Sequence, residues 1–289
     1  MSPLPKSLEL PPPEVPNAII SFPSPHILLV TLNRPKQLNS IPPAGHIALD
    51  ALFRWYDEEP SLRCAILTGA GRAFCAGADL KDWNERNNAQ GGESQQQKAA
   101  QRKSQLWMSS GFGGLSNRAG KKPFICAVNG LCLGGGMEIA INADLVVASA
   151  DAKFGLPEVT IGVVALAGAL PRIIRSVGKQ RASEMVLLGK HFSADEMLSW
   201  GLVNEVVPRG GDVVAAAVKM AERVAGNSPD SIITSREGMR LGWEGVNPEV
   251  GTDILESGLY GRMNGAENMK EGVLSFVERR KPSWKDSKL

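Results

Sequence analysis

Apolar and polar positions change period several times along the chain. Two runs rich in aliphatic residues, 18–22 and 26–32, flank Pro23-Ser24-Pro25 and predict a β-hairpin. From Pro42-Pro43 the period lengthens to that of a helix reaching about Asp57, with Ile47, Leu49, Leu52, Phe53 and Tyr56 as its apolar face. The run CAILT, 64–68, is continuously apolar, as expected of a strand buried on both faces, and ends at Gly69-Ala70-Gly71. Strand-like runs recur at 124–128 and 144–148, each beside a glycine-rich or helical piece. Between them and CAILT, residues 84–105 turn polar, which predicts a solvated loop leading into a helix, of the kind that also covers pockets. Beyond about Arg209 only helical patterns remain, at 212–225, 231–240, 249–260 and 266–280. Strands mixed with helices and then a helical tail predict an α/β core with a helical C-terminal segment. The expected division is a proline-rich mobile arm at 1–16, a core at 17–209, the helical segment at 210–286 and a terminal tripeptide at 287–289.

Composition narrows the chemistry. With 289 residues, 43% hydrophobic and 21% charged, the chain has the make-up of an ordinary globular protein. A net charge of +2 asks for neither nucleic acid nor an anionic membrane, so a polyanionic ligand would need a few local basic residues. No window approaches the ~20 apolar residues of a membrane helix. Cys64, Cys75, Cys126 and Cys132 lack paired metal spacing and read as reduced, structural thiols; three histidines without a neighbouring ligand predict no metal site. The N-terminus, with Pro11-Pro12-Pro13, lacks a signal-peptide pattern. Ser287-Lys288-Leu289 is the tripeptide read by the peroxisomal import receptor, so an accessible tail and a peroxisomal location are expected.

Three constellations carry candidate chemistry. Ala73-Phe74-Cys75-Ala76-Gly77-Ala78-Asp79-Leu80 follows the CAILT strand, and its small residues let a ligand approach backbone N–H groups. A tight turn alone would need the same residues. Asn129 to Glu138 holds three consecutive glycines, Gly134, Gly135 and Gly136, at the mouth of a helix, where free N–H groups and the positive end of the helix dipole converge on an oxyanion. Glu138 sits in the first turn of that helix, a place that also favours carboxylates for structural reasons. In Phe154-Gly155-Leu156-Pro157-Glu158-Val159 a carboxylate stands in an apolar run beside a stiffening proline, which predicts a raised pKa and a proton donor.

In their order and spacing, AGAD, GGGME and FGLPE resemble the crotonase (enoyl-CoA hydratase/isomerase) superfamily, from Leu32-Asn33-Arg34-Pro35 to Phe276-Val277-Glu278-Arg279-Arg280. Asn204-Glu205-Val206-Val207, read as a helix-end signature, adds to the agreement. The resemblance implies a spiral of ββα units with a C-terminal helical trimerisation segment, assembled as a trimer or a dimer of trimers. It implies that the N–H groups of Ala78 and Gly135 receive a thioester carbonyl oxygen, that Glu138 deprotonates a water attacking C3, and that Glu158 delivers a proton to C2. Ala76, Ala78, Asp79, Leu80 and Lys81 would contact the acyl-CoA, Lys81 meeting phosphate or pantetheine, while Phe276 and Arg279 would reach its nucleotide part. Coenzyme A enters as part of the substrate, with no separate cofactor. The family's Pro-Gly-Ala-Gly-Gly run is replaced here by Ala165-Leu166-Ala167-Gly168-Ala169; Leu166 should reshape the acyl site while its N–H could still position water. The central and C-terminal segments look similar to fungal peroxisomal CoA hydratases, including those acting on branched hydroxyacyl-CoAs such as mevalonyl-CoA.

Three rivals remain at this point. A Δ3,Δ2-enoyl-CoA isomerase can work with one carboxylate, so a second acid facing the site favours hydration. A dinucleotide oxidoreductase would need Gly or Ala where Phe74 stands after Gly69-Ala70-Gly71. An RNA-binding role is opposed by the near-neutral charge and the lack of a basic stripe.

Overall fold

In the computed structural model, residues 5–79 and 110–289 are described. Leu80, Lys81 and the polar stretch 84–105 lie outside them.

Strands alternate between two sheets. The larger has the order β1 (Ala18–Ser21), β2 (Ile27–Leu32), β3 (Cys64–Gly69), β5 (Phe124–Val128), β7 (Leu145–Ser149) and β10 (Glu205–Val207). The smaller has the order β4 (Ala73–Cys75), β6 (Leu131–Leu133), β8 (Lys153–Gly155) and β9 (Phe192–Ser193). The hairpin β1–β2 and the pair β8–β9 are antiparallel; every other pairing is parallel. Each of β3, β5 and β7 thus crosses to the smaller sheet as β4, β6 and β8. After β6 and β8 come helices α2 (Gly135–Asn142) and, past a short 3₁₀ turn, α3 (Ala169–Val177), giving repeated ββα turns. The expected α/β spiral is what forms.

Continuous apolar strands arise because both faces of the large sheet are covered. Ala65 and Leu67 of β3 point into the main core with Leu49, Leu52, Phe53 and Tyr56 of α1 (Pro43–Glu58), whereas Cys64 and Ile66 point to the other side. There Ala217 and Ala221 of α6 (Val213–Ala225) close the second face. Before α6 come α4 (Lys179–Leu188) and α5 (Ala194–Trp200). After it only helices follow: α7 (Pro229–Trp243), α8 (Pro248–Leu255), a π-type turn at Glu256–Tyr260, α9 (Gly261–Met263) and α10 (Glu267–Val277). No helix among the described residues is long and apolar enough to cross a membrane.

Two sequence expectations change, and both ends of the chain find bonding partners. Ile47, placed on the apolar face of α1, is 60% exposed, because its neighbours Leu49, Leu52, Phe53 and Tyr56 already fill the stripe facing the sheet. Asn204 to Val207 is an edge strand rather than a helix end: Asn204 exchanges bonds with Val146 through both its amide N–H and its side-chain oxygen, which starts the ladder with β7. Residues 5–16 form no helix or strand but lie against α1, with Glu9 N–H on the Glu59 carboxylate and Leu10 C=O accepting from Trp55. The terminal tripeptide is docked on the helices. Ser287 Oγ donates to Asp230, Lys288 pairs with Glu267, and Lys121 Nζ reaches Leu289 C=O.

Candidate active site

The three constellations follow β4, β6 and β8, which are neighbours and run parallel, so the turns after them open side by side. Backbone bonds lock this edge. Gly134 N–H donates to Gly155 C=O at 3.0 Å, tying the second turn to the third. Ala76 N–H donates to Leu38 C=O and Ile41 N–H to Gly77 C=O, both at 3.0 Å, tying the first turn to the segment after β2.

The first turn and the start of α2 meet closely. Gly77 has φ +94°, and a methyl group on it would stand 3.1 Å from the amide nitrogen of Gly135, so neither its backbone nor its surroundings admit a side chain. Ala78, the next residue, is exposed beside this junction. Gly135 is the first residue of α2, where an N–H has no partner within the helix. Among the described residues no backbone acceptor takes the N–H of Ala78 or of Gly135. Two neighbouring amides, one of them at a helix start, are what a developing oxyanion requires. Phe112 sets the height of this floor: a Cβ on Gly135 would come within 2.5 Å of its ring. The ring is held edge-on by His46 of α1, whose Nδ1 accepts from Gly113 N–H at 2.8 Å.

Glu138 lies one turn into α2, 4% exposed. Its Oε1 accepts the N–H of Ala167 at 2.8 Å. Burial pushes its carboxyl up to about 7; the N–H of Ala167 works against that shift, the charge of Glu158 adds to it, and the N–H of Ala169 again opposes it. Glu158 is likewise raised by burial, partly offset by its own backbone N–H. One of its oxygens, Oε2, is buried with no hydrogen-bond partner among the described residues. The other faces Gly134: a methyl there would be 3.4 Å from Glu158 Oε1. Two carboxyls at the start of one helix and next to an oxyanion floor can hold one water between a base and an acid.

Other expected residues divide. The Asp79 carboxylate is turned to Arg34, whose Nη2 lies 2.9 Å away while its Nη1 donates to Ser40 C=O. This pair braces the first turn. Leu166 is 74% exposed, and the next amide, the N–H of Ala167, is bonded to Glu138. Phe276, 85% exposed, lies near the end of α10, and Arg279 follows that helix with φ +55°; no bond among the described residues connects either to the glutamates. Gly69-Ala70-Gly71 leads into strand β4, not into a helix start, so it cannot cradle a dinucleotide phosphate. Sequence reasoning misses Phe112, Ser116 and Ala167; the run Gly111-Phe112-Gly113-Gly114 is the one signal that points towards them.

Comparison with known proteins agrees with this geometry. Residues 24–287 match the family model described as enoyl-CoA hydratase/isomerase. The chain is 60% identical over 278 residues to a mevalonyl-coenzyme A hydratase of Beauveria bassiana, covering 96% of this chain and 98% of the relative. It is 47% identical over 277 residues to the mevalonyl-coenzyme A hydratase of Aspergillus fumigatus, with the same coverage, 96% and 98%. An enoyl-CoA hydratase structure from Mycobacterium tuberculosis superposes with a TM-score of 0.82 at 31% identity, covering 94% of this chain and all of that one (100%). With its family model, relatives and fold in accord, the chain belongs to the enoyl-CoA hydratase/isomerase family, the crotonase superfamily.

Proposed function

We propose that this protein catalyses the reversible addition of water across the double bond of a 2-enoyl-CoA, and that its own substrate pair is mevalonyl-CoA and the enoyl-CoA formed by its dehydration. The observation that carries the reaction is the placement of two carboxyls at the start of α2, Glu138 in its first turn and Glu158 with Oε1 facing Gly134 just before it. Two fungal relatives named mevalonyl-coenzyme A hydratase support the substrate.

In the hydration direction the thioester carbonyl accepts from the N–H groups of Ala78 and Gly135. Charge builds on that oxygen as water adds to C3, and losing one such donor typically costs about 10²–10³ in rate. Glu138, whose carboxylate accepts from the N–H of Ala167, takes a proton from the water; Glu158, whose Oε2 has no donor among the described residues, gives its proton to C2. In the reverse direction Glu158 removes the C2 proton and Glu138 protonates the departing C3 hydroxyl. A second acid on the same site favours this reaction over isomerisation, which a single carboxylate can perform.

The test is a panel of purified-enzyme assays on branched and straight-chain enoyl- and 3-hydroxyacyl-CoAs. Highest kcat/KM on the mevalonyl-CoA pair is expected, and a straight-chain preference would overturn the substrate. Glu138→Gln should lower turnover by about a hundredfold or more, within the range for a lost general base; near-normal hydration by this variant would overturn the mechanism. We further propose homo-oligomer assembly as a trimer or dimer of trimers, and peroxisomal import through Ser287-Lys288-Leu289. The exposed apolar residues Val273, Leu274 and Val277 on α10 support the former, and the tripeptide itself the latter.

A further inference from the structure

We propose that Ser116 is a positioning residue for both halves of the site, its buried hydroxyl holding the Ala167 peptide on Glu138 and the Phe112 ring under Gly135. Ser116 has no exposed surface (0%) and lies outside the three sequence constellations. Its Oγ accepts the N–H of Phe112 at 2.7 Å and donates to the C=O of Ala167 at 2.7 Å. The N–H of that same Ala167 donates to Glu138 Oε1 at 2.8 Å. Phe112, pinned through its N–H, lies where any Cβ on Gly135 would strike its ring. One hydroxyl therefore joins the residue that supports the oxyanion donor to the residue that supports the base.

The arrangement is braced from behind. Arg172 Nη1 donates to Ser116 C=O at 3.2 Å and to Gly168 C=O at 3.4 Å, and its Nη2 pairs with Glu244 at 3.0 Å. Gly168, at φ +108°, turns the chain where a Cβ would overlap the guanidinium. A peptide unit cannot rotate its C=O without swinging the N–H one bond away, but the C=O of Ala167 and its own N–H belong to adjacent peptide planes. Anchoring the C=O fixes ψ of Ala167 and, through the rigid Cα, limits where its N–H can aim. Removing the hydroxyl leaves a part-buried C=O without its donor, and that group will seek another partner.

This inference rests on Glu138 being the base. The charged groups around that carboxylate are Glu158 across the site and, behind the loop, Arg172 turned to Ser116, Gly168 and Glu244; His46 meets Phe112 from α1. With the Ala167 N–H loosened, the carboxylate of Glu138 loses a bond that favours its charged form, so its proton is held to higher pH.

The experiment measures pH profiles of kcat and KM for hydration with wild type, Ser116→Ala and Ser116→Cys, each checked for melting and assembly. Ser116→Ala should lower kcat about tenfold with KM changed little, and should move the acid limb to higher pH by about half a unit or more. Ser116→Cys, nearly isosteric with a weak S–H donor, should fall between the two. A lowered kcat with an unmoved acid limb in both variants would overturn the inference, as would an unchanged kcat. Failure of the underlying reading looks different: there Glu138→Gln, not Ser116→Ala, would keep hydration.

Discussion

Glu138 and Glu158 bear the same functional group and are supported differently. Glu138 has backbone donors from the loop before α3, while Glu158 keeps one buried oxygen without any. Both are raised, Glu138 to about 7 from 4.5. Hydration needs Glu138 ionised and Glu158 protonated at once, so turnover should pass through a maximum with pH, the Glu138 carboxyl titrating near 7. A flat profile from pH 5 to 8 would contradict the assignment. The raised carboxyl also has a cost in stability. A carboxyl whose folded pKa is raised contributes most below its unfolded value near 4.5, and that contribution disappears as pH rises through about 7. A tenfold change in proton affinity corresponds to about 1.4 kcal/mol, so the loss is at most about 3.5 kcal/mol. Glu138→Gln, neutral at every pH and still able to accept from Ala167, should melt above wild type at pH 8 and close to it at pH 5. A lower melting point for the variant at pH 8 would contradict this.

At the scale of elements, the site exists because β4, β6 and β8 are short, parallel and adjacent, each ending in a turn of small residues or proline. Gly77→Ala is predicted to push the first turn off Gly135, since its Cβ would meet that amide at 3.1 Å in a left-handed backbone. A loss of about 10²-fold in kcat with the fold intact is expected, the magnitude of a misplaced oxyanion donor. Full activity would show that the two amides do not act together. Much of this is readable in the sequence: the hairpin, α1, the buried β3 and the helical tail follow from period and punctuation, and the three motifs from their ordered spacing. Contacts between distant segments are not. The bond from Ser116 to Ala167 spans 51 residues, and nothing in the local pattern of Ser116 marks it. The same holds for Arg34 and Asp79, 45 residues apart, and for Asn204, whose pairing with Val146 makes a strand from a segment with the local pattern of a helix end. Periodicity names the apolar face only approximately, which is why it puts the exposed Ile47 on the inward side.

For the whole molecule, the proposed assembly and import each single out one surface. Val273, Leu274 and Val277 of α10 are exposed apolar side chains within about one turn of the helix, the face proposed for assembly. Light scattering should give a trimer or hexamer, and Val273→Glu with Leu274→Glu should reduce it; a wild-type monomer would contradict the assembly. The tail tripeptide is bonded to Asp230 and Glu267 on the helical segment, so an import receptor would have to draw it off. An N-terminal fluorescent fusion should enter peroxisomes and lose that location when Ser287-Lys288-Leu289 is removed; unchanged distribution would contradict the targeting.

The account depends most on Glu138 and Glu158 serving one event, and a double-mutant cycle tests that directly. Turnover would be measured for Glu138→Gln, Glu158→Gln and the double variant on the same enoyl-CoA. Groups acting as a unit are grossly non-additive, so the double variant should fall little below the worse single one. Losses that multiply, or either single variant keeping wild-type turnover, would contradict it.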